Sequence, residues 1–230
     1  MNRNIPAFCA AMLAFALLLV FCGGLWAQSG AFSLAEEESV IKTVYLTFDD
    51  GPSDRVTPKI LDVLAEEDVK ATFFIVGKHA ETRKALLKRE AKEGHTVAVH
   101  SYTHVYNQIY ASPESLLADI EKCNDLIEEV TGSRSTLYRF PGGSFNLSYR
   151  LISAVTSHGM RYVDWNASFR DAEIYNATPY QLYQAAVTTA ASAENIVFLA
   201  HDSTTKTATA EALREIIRHF KNEGYLFKAF

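Results

Sequence analysis

From residue 44 onward, short runs rich in β-branched and aromatic residues alternate with longer stretches whose apolar positions recur at helical spacing. The apolar runs are VYLTF (44–48), ATFFIVG (71–77), TVAVH (96–100), TLYRF (136–140), RYVDW (161–165) and IVFLAH (196–201). Helical patterns cover 57–67, 80–94, 112–132, 148–159, 179–192 and 208–224. Gly94, Gly132, Gly159 and Gly224 stand where helices end. Ser112 before Pro113 is a helix start, with a hydroxyl cap and proline at the first helical position. Mostly apolar strands, each followed by a helix, imply an α/β fold: a parallel sheet covered by helices through right-handed crossovers. Such a series either opens into a doubly wound sheet or closes into a barrel. No glycine-rich dinucleotide or phosphate loop follows any run, which removes the main reason for the open form. Neither an internal repeat nor a second domain is visible.

In parallel α/β folds the working face lies at the C-terminal ends of the strands, and those ends here are polar. The first run ends in Asp49-Asp50, and the third in His100, with His104 four residues on. The fourth ends in Arg139-Phe140-Pro141-Gly142-Gly143. The fifth passes through Asp164 and Trp165 to Asp171, and the sixth reaches Leu199, His201 and Asp202. Ligand-type side chains thus gather on one rim from five strands.

Composition narrows the context. With 230 residues, 48% of them hydrophobic, the chain can bury one real core. A net charge of −5 argues against nucleic acid or an anionic membrane surface as partner, and leaves a neutral glycan open. After Arg3, the apolar segment ending near Ala27 is a signal peptide or, uncleaved, an N-terminal membrane anchor. The small residues Gly23, Gly24 and Ala27 suit cleavage. Either way the globular part is exported to the cell envelope or beyond, and membrane contact is confined to this segment. Residues 28–41 form a linker and 42–230 the folded domain. Cys9 and Cys22 fall in the export segment, so Cys123 stands alone in the domain. That excludes a disulfide framework and a cysteine metal site, and Cys123 reads as a buried filler.

The stretch TFDDGPSD (47–54) sets two carboxylates side by side before a turn, with Gly51 expected to supply an unusual φ and Pro52 fixing its own. The spacing of His100 and His104 predicts two imidazoles on one face of a helical turn. With a carboxylate they make a two-histidine, one-carboxylate set with an open position. Such a site polarises a carbonyl and acidifies water, and the reaction further needs a base and an acid. One of Asp49 and Asp50 can bind metal while the other serves as base. His201 is suited to protonate an amine leaving group. Arg139 and Asp171 read as groups that orient the base and tune the acid. The backbone at Gly142 and Gly143 is expected to offer an N–H to a developing oxyanion.

TFDDGPS, HSYTH, RFPGG, the Asp164–Asp171 segment and LAHD resemble, in order, the five motifs of the NodB-type polysaccharide deacetylases, carbohydrate esterase family 4. The resemblance spans about residues 42–230. It implies a single-domain, distorted (β/α) barrel and metal-dependent removal of N-acetyl groups from a GlcNAc-containing polymer, peptidoglycan or chitin-like. It assigns Asp49 as base, Asp50, His100 and His104 as metal ligands, and His201 as acid. Arg139 would hold the base, Asp171 would pair with the acid, and Leu199 would line the acetyl pocket. The ligand set suits zinc, and also cobalt, nickel or manganese. Two positions depart from the family pattern: Gly142 stands where Tyr is frequent, and Ala172 where Trp walls the pocket. Trp165 is expected to cover part of that wall. The alternatives are a non-catalytic glycan-binding module on the same scaffold and an esterase or amidase for another acylated sugar. His79, His95, His158 and His219 are expected to be structural, Phe73 and Phe74 buried. Tyr102, Tyr106 and Tyr110 either stack on sugar rings or pack their loop.

Overall fold

In this computed structural model the described residues are 41–230. The expected export segment and all but the last residue of the expected linker lie outside them. Eight parallel strands build one sheet: β1 (Thr43–Gly51), β2 (Thr72–Val76), β3 (Thr96–Ser101), β4 (Leu137–Tyr138), β5 (Arg161–Tyr162), β6 (Ala167–Ser168), β7 (Asn195–His201) and β8 (Leu226–Lys228). The order is β5-β4-β3-β2-β1-β7-β6. β7 pairs with β1 from Thr43 to Asp49, so β8, which pairs with Thr43 to Tyr45, shares the other edge of β1 with β2.

The connectivity forces this sheet to curl. Its two outer strands, β5 and β6, are consecutive in the chain and joined only by residues 163–166. That link reaches roughly 18 Å when extended, whereas a flat sheet would hold the two strands roughly 29 Å apart. The result is a distorted, incompletely closed (β/α) barrel, in agreement with the α/β expectation.

Among the described residues, eight helices accompany the strands: α1 (Thr57–Glu66), α2 (Gly77–Glu81), α3 (Lys84–Lys92), α4 (Tyr106–Ile109), α5 (Pro113–Thr131), α6 (Tyr149–Ser157), α7 (Pro179–Ala190) and α8 (Thr207–Asn222). Ser112 caps α5 by accepting the Ser115 N–H at 3.2 Å, and Gly132 ends it at φ 84°. The main core lies between sheet and helices, with Leu46, Phe48, Phe73 and Phe198 meeting Leu213, Ile216 and Phe220. A second, smaller cluster fills the barrel floor: Phe74, Ala98 and Leu137, with Val163 and Phe230 packed on them. Phe230 stacks on Tyr45 with ring centroids 4.5 Å apart, so the C-terminus plugs the floor. The polar rim therefore stands over an apolar base. No helix among the described residues is long and apolar enough to cross a membrane.

All six expected strands form, and the structure adds β6 and β8. These have only two and three residues, too short to show any periodicity. The helix expected over 80–94 is two, because the chain breaks at Thr82-Arg83, where Arg83 has φ −131°.

Candidate active site

Asp49 and His201 are register partners on β1 and β7, and their side chains stand together on the barrel face. One layer below, Thr47 pairs with Leu199. Asp49 is buried, and its Oδ1 accepts from Arg139 Nη1 at 3.0 Å. Burial pushes its carboxyl above the usual range, although Arg139 and His201 pull the other way.

Arg139 is itself fully buried. Its Nε donates to Val163 O at 3.0 Å, Nη2 to Asp164 O at 3.3 Å, and Nη1 also to Thr47 Oγ1. The guanidinium lies over the Phe74 ring, 4.2 Å from its centroid. Five donors in a fixed plane suit this arrangement, which fixes Asp49 Oδ1 from below.

His201 is held from the opposite side. Its Nδ1 lies 2.7 Å from Asp171 Oδ1, and its backbone N–H donates to Asp171 Oδ2 at 2.9 Å. Thr209 Oγ1 and Lys206 Nζ donate to Asp171 Oδ2 and O, both at 2.7 Å. Burial works to lower the imidazole pKa. The Asp171 hydrogen bond and the charges of Asp171, Asp49 and Asp50 outweigh it and raise it to about 9. For Asp171, burial is outweighed by its His201 and Thr209 contacts, which hold it below its ordinary value. The raised pKa favours the imidazolium form, in which Nδ1–H donates to Asp171 Oδ1 and Nε2 carries the second proton.

Asp50, His100 and His104 converge beside this pair, their ligand atoms all within 4.8 Å of one another. Asp50 Oδ1 lies 3.5 Å from His100 Nε2 and 3.2 Å from His104 Nε2. Ligands about 2.1 Å from one tetrahedral cation stand roughly 3.4 Å apart. His100 Nδ1 lies 2.8 Å from the Arg139 carbonyl. A carbonyl only accepts, so the ring hydrogen sits on Nδ1 and the Nε2 lone pair faces Asp50. Burial, against the pull of Asp50, pushes the His100 pKa down to about 3, keeping the ring neutral. The donor set therefore fits a divalent metal.

The local structure around these ligands differs from the sequence expectation in three ways. First, His100 and His104 do not share a helical turn. His100 is the last residue but one of β3, and His104 follows a tight turn with its own backbone left-handed at φ 56°. Asp119 of α5 organises that turn by accepting from Ser101 Oγ, Tyr102 N and Thr103 N at 2.6–3.0 Å. Ser101 Oγ in turn accepts the His104 N–H at 2.8 Å. A helical carboxylate gives no sign of this role in sequence.

Second, the unusual φ in the Asp-Asp-Gly-Pro turn belongs to Asp50, at 74°, and not to Gly51. Gly51 is required for space: a Cβ there would lie 2.1 Å from Asp202 Oδ2. Asp202 is fully buried and ties the turn together. Its N–H donates to Asp49 O at 3.1 Å, its carbonyl accepts from Ser53 Oγ at 2.6 Å, and its Oδ2 accepts from Thr57. Burial raises the Asp202 carboxyl to about 7.

Third, Gly142 and Gly143 are both left-handed, at φ 78° and 81°, and the Gly143 N–H donates to Phe140 O at 2.8 Å. That amide is committed to its own turn and is not free for an oxyanion. Ser144 fastens the turn to Asp164 through N–H to Oδ1 at 3.0 Å and Oγ to Oδ2.

His95, His158 and His219 bond to Ala71 N, Glu121 and Tyr183, away from the rim. His79 instead stands on the rim, its Nδ1 bonded to the Asp50 carbonyl. Tyr102 is buried, and Tyr110 bonds to Pro141 O. Tyr106 lies edge-on to His104 with centroids 5.5 Å apart. Trp165 sits near the Arg139 guanidinium, 5.7 Å from ring centroid to Cζ, and packs edge-on against Phe145, which the sequence did not single out. Ala172 borders a cavity of about 570 Å³ together with Asp171, Tyr175 and Lys206.

The family model described as polysaccharide deacetylase matches residues 36–163, more than half of the chain. The match contains Asp49, Asp50, His100, His104 and Arg139 and stops short of Asp171 and His201. The chain is 33% identical over 195 residues to a peptidoglycan-N-acetylglucosamine deacetylase of Bacillus cereus, covering 82% of this chain and 69% of the other. It is 32% identical over 195 residues to the peptidoglycan-N-acetylmuramic acid deacetylase PdaA of Bacillus subtilis, covering 82% and 70%. The chain spans about two thirds of the length of these two relatives. Among solved structures, the catalytic domain of peptidoglycan N-acetylglucosamine deacetylase from Eubacterium rectale superposes with a TM-score of 0.77. It has 38% identity, covering 82% of this chain and 88% of that one.

Proposed function

This chain belongs to the polysaccharide deacetylase family, and on that premise we propose that it is an exported, metal-dependent hydrolase of N-acetyl groups on a GlcNAc-containing glycan, peptidoglycan or chitin-like. The observation that carries the reading is the convergence of three groups on one rim. These are the Asp50–His100–His104 cluster, the Asp49–Arg139 pair and the His201–Asp171 pair.

In this reading Asp50, His100 and His104 hold a divalent cation, for which zinc is the first choice and cobalt, nickel or manganese also suit the donors. When bound, that cation supplies Lewis acidity, polarising an acyl carbonyl and acidifying water. Asp49 takes the proton that water gives up as its oxygen bonds to the acyl carbon. Arg139 keeps Asp49 oriented and favours its ionised form. As the C–N bond breaks, His201 gives its Nε2 proton to the leaving nitrogen. Asp171 holds the imidazolium in place and favours its charge. One water is consumed and acetic acid and the sugar amine form; the acid's proton passes to the amine, so that acetate and the sugar ammonium leave, and the proton on Asp49 returns His201 to its acid form. Leu199 and Trp165 flank the acyl group, and the Gly142–Gly143 turn shapes the rim beside it. Substrate is met in the cell envelope or outside it.

Acetate release from peptidoglycan, GlcNAc oligomers and acetylated xylan tests the proposal. Release from the first or second, abolished by a chelator and restored by metal, is expected. An Asp49→Asn variant should keep its metal and lose turnover. Chelator-insensitive release, or none from any glycan, overturns it.

A further inference from the structure

The turn that follows β4 carries an exposed aromatic group that the proposed chemistry leaves unused. Phe145 is 64% exposed, yet its position is fixed. Its ring meets Trp165 at 82° with centroids 5.5 Å apart. The preceding residue, Ser144, is tied to Asp164 through both its amide and its hydroxyl. The packing also depends on Gly143, where a Cβ would lie 2.8 Å from the Phe145 ring and 3.0 Å from that of Trp165. An exposed ring on a loose loop is ordinary surface. One wedged against a second ring on a braced turn is a prepared apolar face.

Its location says what that face meets. Trp165 lies near the Arg139 guanidinium, which holds Asp49. On the far side of the same turn, Gly142 comes close to Tyr106, at 3.3 Å from a built Cβ to the ring. Tyr106 is 48% exposed and lies edge-on to His104. Two aromatic faces thus flank the Gly142–Gly143 turn, one beside the proposed metal ligand His104 and one beside the Arg139 guanidinium. The charged groups beside these rings are already engaged, Arg139 with Asp49 and Asp164 with Ser144. The partner with a matching surface is a neutral sugar ring, which offers a flat C–H face ringed by hydroxyls.

We propose that Phe145 and Trp165 form a stacking platform for a pyranose ring adjacent to the one being deacetylated, so that the protein binds an oligomer across the Pro141–Phe145 turn. The inference rests on the glycan deacetylase reading, and its test separates the two. The sequence holds two tryptophans, Trp26 and Trp165, so a Trp165→Phe variant assigns the fluorescence signal. Titrating the full chain with the GlcNAc trimer is expected to change Trp165 emission, and the GlcNAc monomer is not. Phe145→Ala should weaken trimer binding about tenfold, the loss from withdrawing roughly 55 Å² of apolar contact. Phe145→Tyr should restore it, and because residue 145 is exposed both variants at that position should melt with wild type. Equal trimer affinity in wild type and Phe145→Ala, or no response of Trp165 to the trimer, overturns the platform even if acetate is released. A platform that binds as expected while no glycan loses acetate keeps this inference and removes the deacetylase reading.

Discussion

His79 Nδ1 lies 2.8 Å from the carbonyl oxygen of Asp50, the residue that carries a left-handed backbone at φ 74°. Because a carbonyl only accepts, Nδ1 is the donor, and the bond holds Asp50 in a conformation that costs a non-glycine residue about 1–3 kcal/mol. The same conformation turns the Asp50 carboxylate toward His100 and His104. His79 therefore acts on the proposed metal site through the backbone.

His79→Ala should weaken binding of zinc to the metal-free protein by about tenfold, the lower range for residues that orient ligands from outside. His79→Asn, whose amide nitrogen occupies the Nδ1 position, should recover most of it. Competition against a chromogenic chelator reads the affinity, and a melt of the metal-free proteins checks the fold. Unchanged zinc affinity in His79→Ala would remove His79 from this role.

The other side of the same turn gives a second expectation. A Cβ on Gly51 would sit 2.1 Å from Asp202 Oδ2, and Asp202 is fully buried and bonded to Thr57. Neither group has space to retreat, so Gly51→Ala should destabilise the fold by about 1–3 kcal/mol. In the double variant with Asp202→Ala the clash disappears, and that protein should melt no lower than Asp202→Ala alone. Additive losses in urea denaturation would show that Gly51 is required for another reason.

Gly51 also illustrates what the sequence discloses. Strands and helices were legible because their apolar spacing is long and regular, and the rim residues because each follows a strand. The closure was less so: β6 and β8 are too short to leave a pattern, though the four-residue link between β5 and β6 decides the curl. At the site, residue types were visible while backbone geometry was not. The His100–His104 spacing suited a helical turn, and only the end of β3 and the cap from Asp119 create the turn that exists. Likewise the left-handed residue proved to be Asp50, whose carbonyl His79 holds, and Gly51 is required because Asp202, 151 positions away, fills the space beside it. Such long-range packing has no local signature.

The His201–Asp171 pair makes the last expectation, on pH. The folded imidazole titrates near 9, against an ordinary value of about 6.5, so its proton binds more tightly in the folded state. A raised pKa contributes stability that is complete below about pH 6.5 and disappears as pH rises through about 9. The shift corresponds to about 3 kcal/mol. Melts of wild type and His201→Gln without metal should therefore lie furthest apart near pH 6 and converge by about pH 10. Turnover should also fall on an alkaline limb, because the proton lost is the one proposed for the leaving nitrogen. With a divalent cation bound, the positive charge offsets Asp50, which helps hold the imidazolium. The kinetic limb should then lie below the metal-free one. A melting difference that is flat from pH 6 to 10 would show that Asp171 does not hold His201 charged. The alkaline limb would then need another acid.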